Sequence, residues 1–298
     1  MTQGRYAVGM RRRTFTATAG TVAIGSIAGC SSDPESSSGD GSSSESSDDS
    51  SSSESSGEAR LEVTGYDLPE TASIGSTVEG TITVENVGDA SGGFSSPLYI
   101  RTSDSDWREI GEYSAEDIGA GETVEIDVEV TGLEYINRYE VGLGQSEETY
   151  IIQTVSAQLD WGEEFTTPEG YIIRIDEPEL QDSYAYENFQ GQTEQKEPEG
   201  GGQYAFVNAF VKNETGQTAF SPLRSEFALV SDSSQFDSTI LIDDPINKGK
   251  QFEGGELQPG IEREGWIAYE LPADLSVSDL TMAWSKTLFG GEISLNWQ

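Results

Sequence analysis

From residue 60 onward the chain is built of short runs in which apolar and polar residues alternate, broken by Gly, Asn, Asp and Pro. The clearest run is 123–131, where Val124, Ile126, Val128 and Val130 alternate with Glu125, Asp127 and Glu129. A period of two turns one set toward a core and the other toward water, the signature of a half-buried strand. Residues 61–66, 81–86, 98–102, 138–143 and 149–154 read as strands of the same kind. About seven strands in about 95 residues, with a turn signal every 8–12, predict an antiparallel sandwich. No helical period of any length appears, and only 114–118 has the composition of a single helical turn.

A second block begins near residue 159, with strands predicted at 171–175, 203–213, 227–230, 238–242, 265–271, 280–284 and 292–297. In 203–213, Ala205, Val207, Ala209 and Val211 line one face while Tyr204, Phe206 and Phe210 line the other. Apolar side chains on both faces predict a central strand covered on both sides. The two blocks also rhyme. Val84-Glu85-Asn86-Val87-Gly88 matches Val211-Lys212-Asn213-Glu214-Thr215-Gly216, and Ile118-Gly119-Ala120-Gly121-Glu122 matches Leu257-Gln258-Pro259-Gly260-Ile261. The first pair is a strand, an Asn and then a Gly turn, and the second is a Gly turn leading into a long strand, which predicts two copies of one plan.

The first 58 residues are a different kind of sequence. Arg12-Arg13-Thr14-Phe15 precedes a small, mildly apolar run over 16–28, which ends in Ile27-Ala28-Gly29-Cys30. A basic segment, a short apolar segment and a small-residue cleavage site make an export signal over residues 1–29. The run is too short and too rich in Gly, Thr and Ala for a membrane-spanning helix. The order resembles that of twin-arginine lipoproteins. That resemblance implies cleavage before Cys30, a lipid on its thiol, and a mature chain held on the extracytoplasmic face of the membrane. Residues 31–58 are Ser, Gly, Asp and Glu with one Pro and no aromatic or aliphatic side chain. Such a stretch buries too little apolar surface to offset its ordering entropy, so 30–58 is expected to be a disordered tether spanning roughly 30 Å.

Charge and missing residues narrow the function. Four of the 16 basic residues precede Cys30, so the chain after it carries twelve cations against 54 acids, a net charge of −42. Most carboxylates must then repel one another unless salt shortens the field from about 10 Å at 0.1 M to about 3 Å at 1 M. The composition resembles that of proteins from extreme halophiles. Nucleic acid is excluded as a partner because its recognition relies on clustered Lys and Arg. There is no His, and no Cys beyond Cys30. Triads, Cys-His pairs, imidazole or thiolate zinc sites and disulfides are therefore excluded, and no cofactor or metal is expected.

Residues 60–155 resemble the cell-adhesion-related immunoglobulin-like domain of prokaryotic surface proteins, through Leu68-Pro69-Glu70, Gly75, residues 83–89 and Ala120-Gly121-Glu122. Residues 159–298 are similar to the telokin-like, immunoprotective immunoglobulin-like domain of secreted lipoproteins, through residues 204–213, 257–260 and 265–272. The resemblance implies an all-β chain of two tandem antiparallel immunoglobulin-like sandwiches, over 59–156 and 157–298, with no shared catalytic site.

Several candidate sites compete with plainer readings. Residues 181–202 form a long polar stretch holding Tyr184, Tyr186 and Phe189, able to stack on a sugar or grip a partner. The plainer reading is a flexible loop whose aromatics fold down on the sandwich. Asp104, Asp106 and Glu109, and Asp232, Asp237, Asp243 and Asp244, have the chemistry of a hard-cation site but no EF-hand spacing, and read as solvated surface. Asn213-Glu214-Thr215 is the one glycosylation sequon, on a residue that is equally a turn starter. Of Trp107, Trp161, Trp266, Trp284 and Trp297, core packing accounts for most and a sugar platform for one or two at most. No catalytic residue stands out. The expected function is a non-enzymatic binding module of the envelope, attached to the membrane through Cys30 and contacting an envelope protein or a glycan. A carboxylate-dependent extracellular hydrolase and a purely structural spacer remain open alternatives.

Dialysis of the mature protein into dilute buffer is expected to unfold it. Retention of its β-sheet circular dichroism there would count against salt adaptation.

Overall fold

Why the chain folds as it does follows from the alternation. The computed structural model describes residues 57–298 apart from 145–147 and 233. Arg12, Arg13, Phe15, Ile27, Ala28, Gly29 and Cys30 lie outside the described residues, as does all of the acidic tether except its last two positions.

The first strands are β1 (Leu61–Asp67), β2 (Thr71–Ser73), β3 (Val78–Asn86), β4 (Gly92–Thr102), β5 (Arg108–Ile118), β6 (Thr123–Val130), β7 (Arg138–Leu143) and β8 (Tyr150–Val155). They pair as two sheets, β1-β3-β6 and β2-β8-β7-β4-β5. Ile82, Val84 and Val128 of the first meet Leu98, Val141 and Ile152 of the second in one core. In β6, Ile126, Val128 and Val130 are buried while Glu125, Asp127 and Glu129 are exposed, as the period of two requires. The edge of β6 is closed by a side chain: the Tyr113 hydroxyl accepts from Glu129 N at 2.9 Å and donates to its carbonyl at 3.0 Å.

The second set begins with β9 (Ala157–Leu159), β10 (Glu164–Thr166), β11 (Tyr171–Ile175), β12 (Glu179–Gln181), β13 (Tyr184–Glu187), β14 (Thr193–Lys196) and β15 (Gln203–Asn213). It continues with β16 (Ala219–Ser221), β17 (Phe227–Ser231), β18 (Ser234–Phe236), β19 (Gly255–Leu257), β20 (Glu262–Leu271), β21 (Thr281–Leu288) and β22 (Gly291–Trp297). The central strand is β15, with β11 and β12 on one edge and β20 on the other. Val207, Ile267 and Tyr269 on its inner side share a core with Phe227, Trp284 and Trp297 of the sheet β18-β17-β21-β22-β9.

Among the described residues the strand pairings are antiparallel, save two short parallel ones, β2 with β8 and β22 with β9. These flank Ser156, the single residue between β8 and β9. Its hydroxyl lies 2.8 Å from that of Ser294, and Ile136 N donates to Glu292 O at 2.7 Å. Ile74, from the first set of strands, packs in the core of the second. The described chain is correspondingly part of one compact unit, Glu54–Gln298.

The sequence rhyme is a repeated hydrogen-bond clasp. Asn86 ends β3, is buried, and donates through Nδ2 to Ala90 O at 2.7 Å and Ile118 O at 2.9 Å. Asn213 ends β15, is equally buried, and donates to Gln217 O and Leu257 O, both at 2.8 Å. The two backbones bond alike. Asn86 N donates to Glu122 O and Gly121 N to Asn86 O, while Asn213 N donates to Ile261 O and Gly260 N to Asn213 O. Gly121 and Gly260 take φ of 74° and 72°, a region that costs glycine little. A carboxamide alone among neutral side chains offers two donors and an acceptor at one point, so it can donate to two carbonyls of the crossing at once.

Three sequence expectations are corrected. Residues 114–118 are not a helical turn but the end of β5, paired with β4 across a bulge where Asp117 sits at φ 56°. Pairing along an existing strand outweighs the weak helical preference of so short a run. Residues 238–242 make only one bridge, Thr239 to Ala268, because the segment leaves the β20 edge and crosses the outer face of the sheet. The stretch 181–202 is no open loop: it carries the β13–β14 hairpin.

Replacing Asn86 or Asn213 by Ala takes the side-chain donor from one buried carbonyl, Ile118 O or Leu257 O, so each change should cost about 1–3 kcal/mol. Urea unfolding midpoints in high salt measure this, and a loss below about 0.5 kcal/mol would remove the clasp from the account.

Candidate functional site

The two-faced pattern of β15 creates a second apolar layer outside the main core. Tyr204 and Phe206 point away from Ala205 and Val207, and Trp266 and Ala268 of β20 join them. Tyr184 from β13 and Leu241 cover this layer. The rings meet edge to face: Tyr184 and Tyr204 have centroids 5.1 Å apart at 68°, and Phe206 and Trp266 lie 5.8 Å apart at 75°. Trp266 Nε1 donates to Gly249 O at 3.3 Å. The Tyr184 hydroxyl is buried with no hydrogen-bond partner among the described residues, and burial pushes its pKa up to about 12.

Beyond Tyr184 the chain forms an ordered display. Asn188 Oδ1 accepts from Gln190 N at 2.9 Å and Gln192 N at 3.0 Å, and Gly191 takes φ 77° to close the turn. The Glu194 carboxylate accepts from Tyr186 Oη at 2.6 Å and Asn188 Nδ2 at 2.5 Å, and those bonds hold its pKa below the ordinary value. Phe189, at the tip, is 97% exposed. The three aromatics of the stretch therefore part: Tyr184 is core, Tyr186 is braced and half-buried, and Phe189 projects. The crossing segment docks on the same hairpin through a Tyr186–Pro245 bridge and a bond from Ile246 N to Ala185 O at 2.8 Å. On it, Ile240 is 66% and Ile242 89% exposed. Sequence reasoning missed both, because the apolar run Ile240-Leu241-Ile242 reads as an ordinary strand.

Beside this layer lies an open cleft of about 490 Å³, lined by Asp176, Glu177, Glu179, Asn208 and Lys248 above Phe206 and Trp266. The Lys248 ammonium sits 4.9 Å from the Phe206 ring centre and is bonded to Glu179, which it holds below the ordinary carboxylate pKa. Asp279 is lowered as well, by bonds from Ser276. All three displaced carboxyls are thus poised to stay ionised, the wrong direction for a general acid. Among the described residues, no group of three or more Asp, Glu, His or Cys is placed to hold a metal ion. Asp104, Asp106, Glu109, Asp232, Asp237 and Asp244 are exposed, and Asp243 is half-buried.

The glycosylation reading of Asn213 is corrected. Its Nδ2, the atom a glycan would take, is buried and already bonded to two carbonyls, so the folded chain does not present it. Trp266, Trp284 and Trp297 are buried, and Trp161 packs against the second core. Trp107 alone of the five stays 40% exposed.

Residues 181–292, covering the hairpin, the crossing segment and most of the second core, match a family model described as a domain of unknown function, DUF4352. The match spans fewer than half of the chain's residues. No curated protein matches the chain. Among solved structures, it is similar to the yjhA protein from Bacillus subtilis at 14% identity and a TM-score of 0.34, over 47% of this chain and 99% of that one. An uncharacterized β-sandwich protein from Clostridium difficile 630 matches at 14% identity and a TM-score of 0.31, over 50% of this chain and 99% of the other. Among the described residues, no helix is long and apolar enough to cross a membrane.

Tyr184→Phe should leave stability unchanged or raise it by up to about 1–3 kcal/mol, since it removes an unpaired buried hydroxyl. Thermal melts in high salt measure this, and a loss of more than about 1 kcal/mol would show that the hydroxyl is bonded after all.

Proposed function

We propose that this chain is an exported, lipid-anchored surface protein of a salt-adapted cell, working as a non-enzymatic binding module that grips an envelope protein. The twin-arginine pattern at Arg12 and Arg13 and the lone Cys30 support the anchoring, and the net charge of −42 beyond Cys30 supports the salt adaptation. On this reading two immunoglobulin-like sandwiches, over 59–156 and 157–298, stand off the extracytoplasmic face on the Ser- and Asp/Glu-rich tether. The observation that carries the binding role is Phe189, held out in water on a hairpin whose turn is fixed by Asn188 and Glu194, with Ile240 and Ile242 exposed on the segment that docks on the same hairpin. Exposing large apolar groups opposes folding, and a turn that is already ordered loses little further entropy when a partner closes on it. The downward-shifted carboxyls Glu179, Glu194 and Asp279 offer nothing to a hydrolase that needs a protonated acid.

Co-purification from intact envelopes in high salt tests the proposal. One stoichiometric protein partner is expected with the unaltered chain, and Phe189→Ser combined with Ile242→Ser should lose it while keeping the β-sheet circular dichroism. Turnover of an extracellular polymer by the purified protein would favour a hydrolase instead. Recovery of no partner, with no turnover, would favour a spacer.

A further inference from the structure

We propose that the outer face of the first set of strands carries a carbohydrate site, in which the indole of Trp107 stacks on one uncharged pyranose ring of a polysaccharide. The site is remote in sequence from the hairpin at Phe189, and the inference does not depend on the function proposed above.

The site is built from the sheet upward. Leu98 and Ile100 of β4 are buried in the core, so Pro97, Tyr99 and Arg101 lie in a row on the opposite, outer face. Neighbouring β7 places Glu140 beside Arg101 and Gly142 beside Tyr99, and Gly144 N donates to Pro97 O at 2.8 Å. Two of those three β7-side positions are glycines, which leaves the face bare next to Tyr99 and Pro97. At Gly144, φ is 53° and an added β-carbon would lie 2.5 Å from Ser96 Oγ, so the bare floor is enforced by the backbone.

Trp107 occupies this bare face. Its Cη2 lies 3.7 Å from the position a β-carbon on Gly142 would take, so the benzo edge of the indole comes down over the glycine row. The Arg101 guanidinium lies 4.3 Å from the ring centre, and its Nε and Nη2 donate to Glu140 Oε2 at 2.8 and 2.6 Å. Arg101–Glu140 therefore backs one face of the indole. Trp107, Pro97, Tyr99 and Gly144 line an open hollow of about 340 Å³, which Arg101 and Glu140 do not line. Clamping the ring removes rotamer freedom before any ligand arrives, and a pre-oriented aromatic plane binds with less entropy loss.

The chemistry of the rim selects the ligand. In the register of β4 and β5, Glu109 pairs with Tyr99 and Glu112 with Pro97, so two carboxylates extend from the strand next to the hollow's floor, and Glu112 also accepts from Ser95 Oγ at 3.1 Å. Carboxylates only accept hydrogen bonds, and their paired oxygens suit the vicinal hydroxyls of a sugar. An anionic ligand would be repelled by these groups. A cationic ligand would compete with Arg101, which already draws on the negative π cloud of the same ring. Among the described residues the hollow is also shallow and open, too poorly enclosed for an aliphatic chain. A neutral pyranose satisfies every part: its C–H face lies on the indole while its hydroxyls donate to Glu109 and Glu112.

Calorimetric titration of the purified protein in high salt with cellohexaose, maltohexaose and chitohexaose tests this, with polygalacturonate and decaproline as contrasting probes. At least one neutral hexasaccharide should bind, Trp107→Ala should weaken it tenfold or more, Trp107→Phe should retain part of the affinity, and Phe189→Ser should change nothing. The indole resonance of Trp107, assigned by its absence in Trp107→Phe, should shift on titration. If Trp107→Ala loses its β-sheet signal, that resonance decides: a shift supports the site and stillness overturns it. Failure of all three hexasaccharides to bind, an affinity untouched by Trp107→Ala, or binding of polygalacturonate or decaproline in their place would each overturn the proposal.

Discussion

Where a chain leaves one sheet and enters the facing one, it passes carbonyls through the core that neither ladder can reach. In this protein the side-chain amide of a buried asparagine meets them, once at Asn86 and once at Asn213. An unpaired buried carbonyl costs of the order of 1–3 kcal/mol, so each clasp decides whether its crossing can be buried at all. The glycines at 121 and 260 then turn the chain back so that β6 and β20 run antiparallel to the strands the asparagines end. The same constraint explains why the sequon at Asn213 is structural.

Around the second clasp the fold departs from the first. β15 is apolar on both faces, and one facing sheet covers only one of them. The other face needs a roof, which the hairpin and the crossing segment supply through Tyr184 and Leu241. That roof also carries exposed apolar side chains: Phe189, Ile240 and Ile242 face water. The roof thus does two things at once, sealing an aromatic layer and displaying side chains that a sealed layer does not use.

Display in this protein depends on small polar devices. Asn188 and Glu194 fix the turn beneath Phe189, and Arg101 with Glu140 fixes the plane of Trp107. Cations are scarce here, and four of them lie over aromatic rings: Arg101, Arg174, Lys248 and Lys286. Several of these also pair with carboxylates, so the few positive charges orient rings and offset local repulsion together. Such exposed pairs contribute little stability individually, which leaves burial and strand pairing as the main support of the fold.

Much of the architecture was legible in the sequence because a strand with one wet face must alternate. The runs at 123–131, 171–175 and 203–213 could be placed from hydropathy alone, and the two-faced pattern of the last marked it as central. The matching Asn and Gly positions gave the repeat, since only those residues suit a buried two-donor clasp and a left-handed turn. What the sequence could not give was the fate of stretches without a period. Residues 114–118 became strand because β4 was there to pair with, and 181–202 became a hairpin because an aromatic face needed covering. The separate fates of Tyr184 and Phe189, and of Trp107 and the four other tryptophans, were likewise decided in three dimensions. A side chain is buried or displayed according to what the rest of the fold brings beside it, and neighbours distant in the chain leave no mark on local pattern.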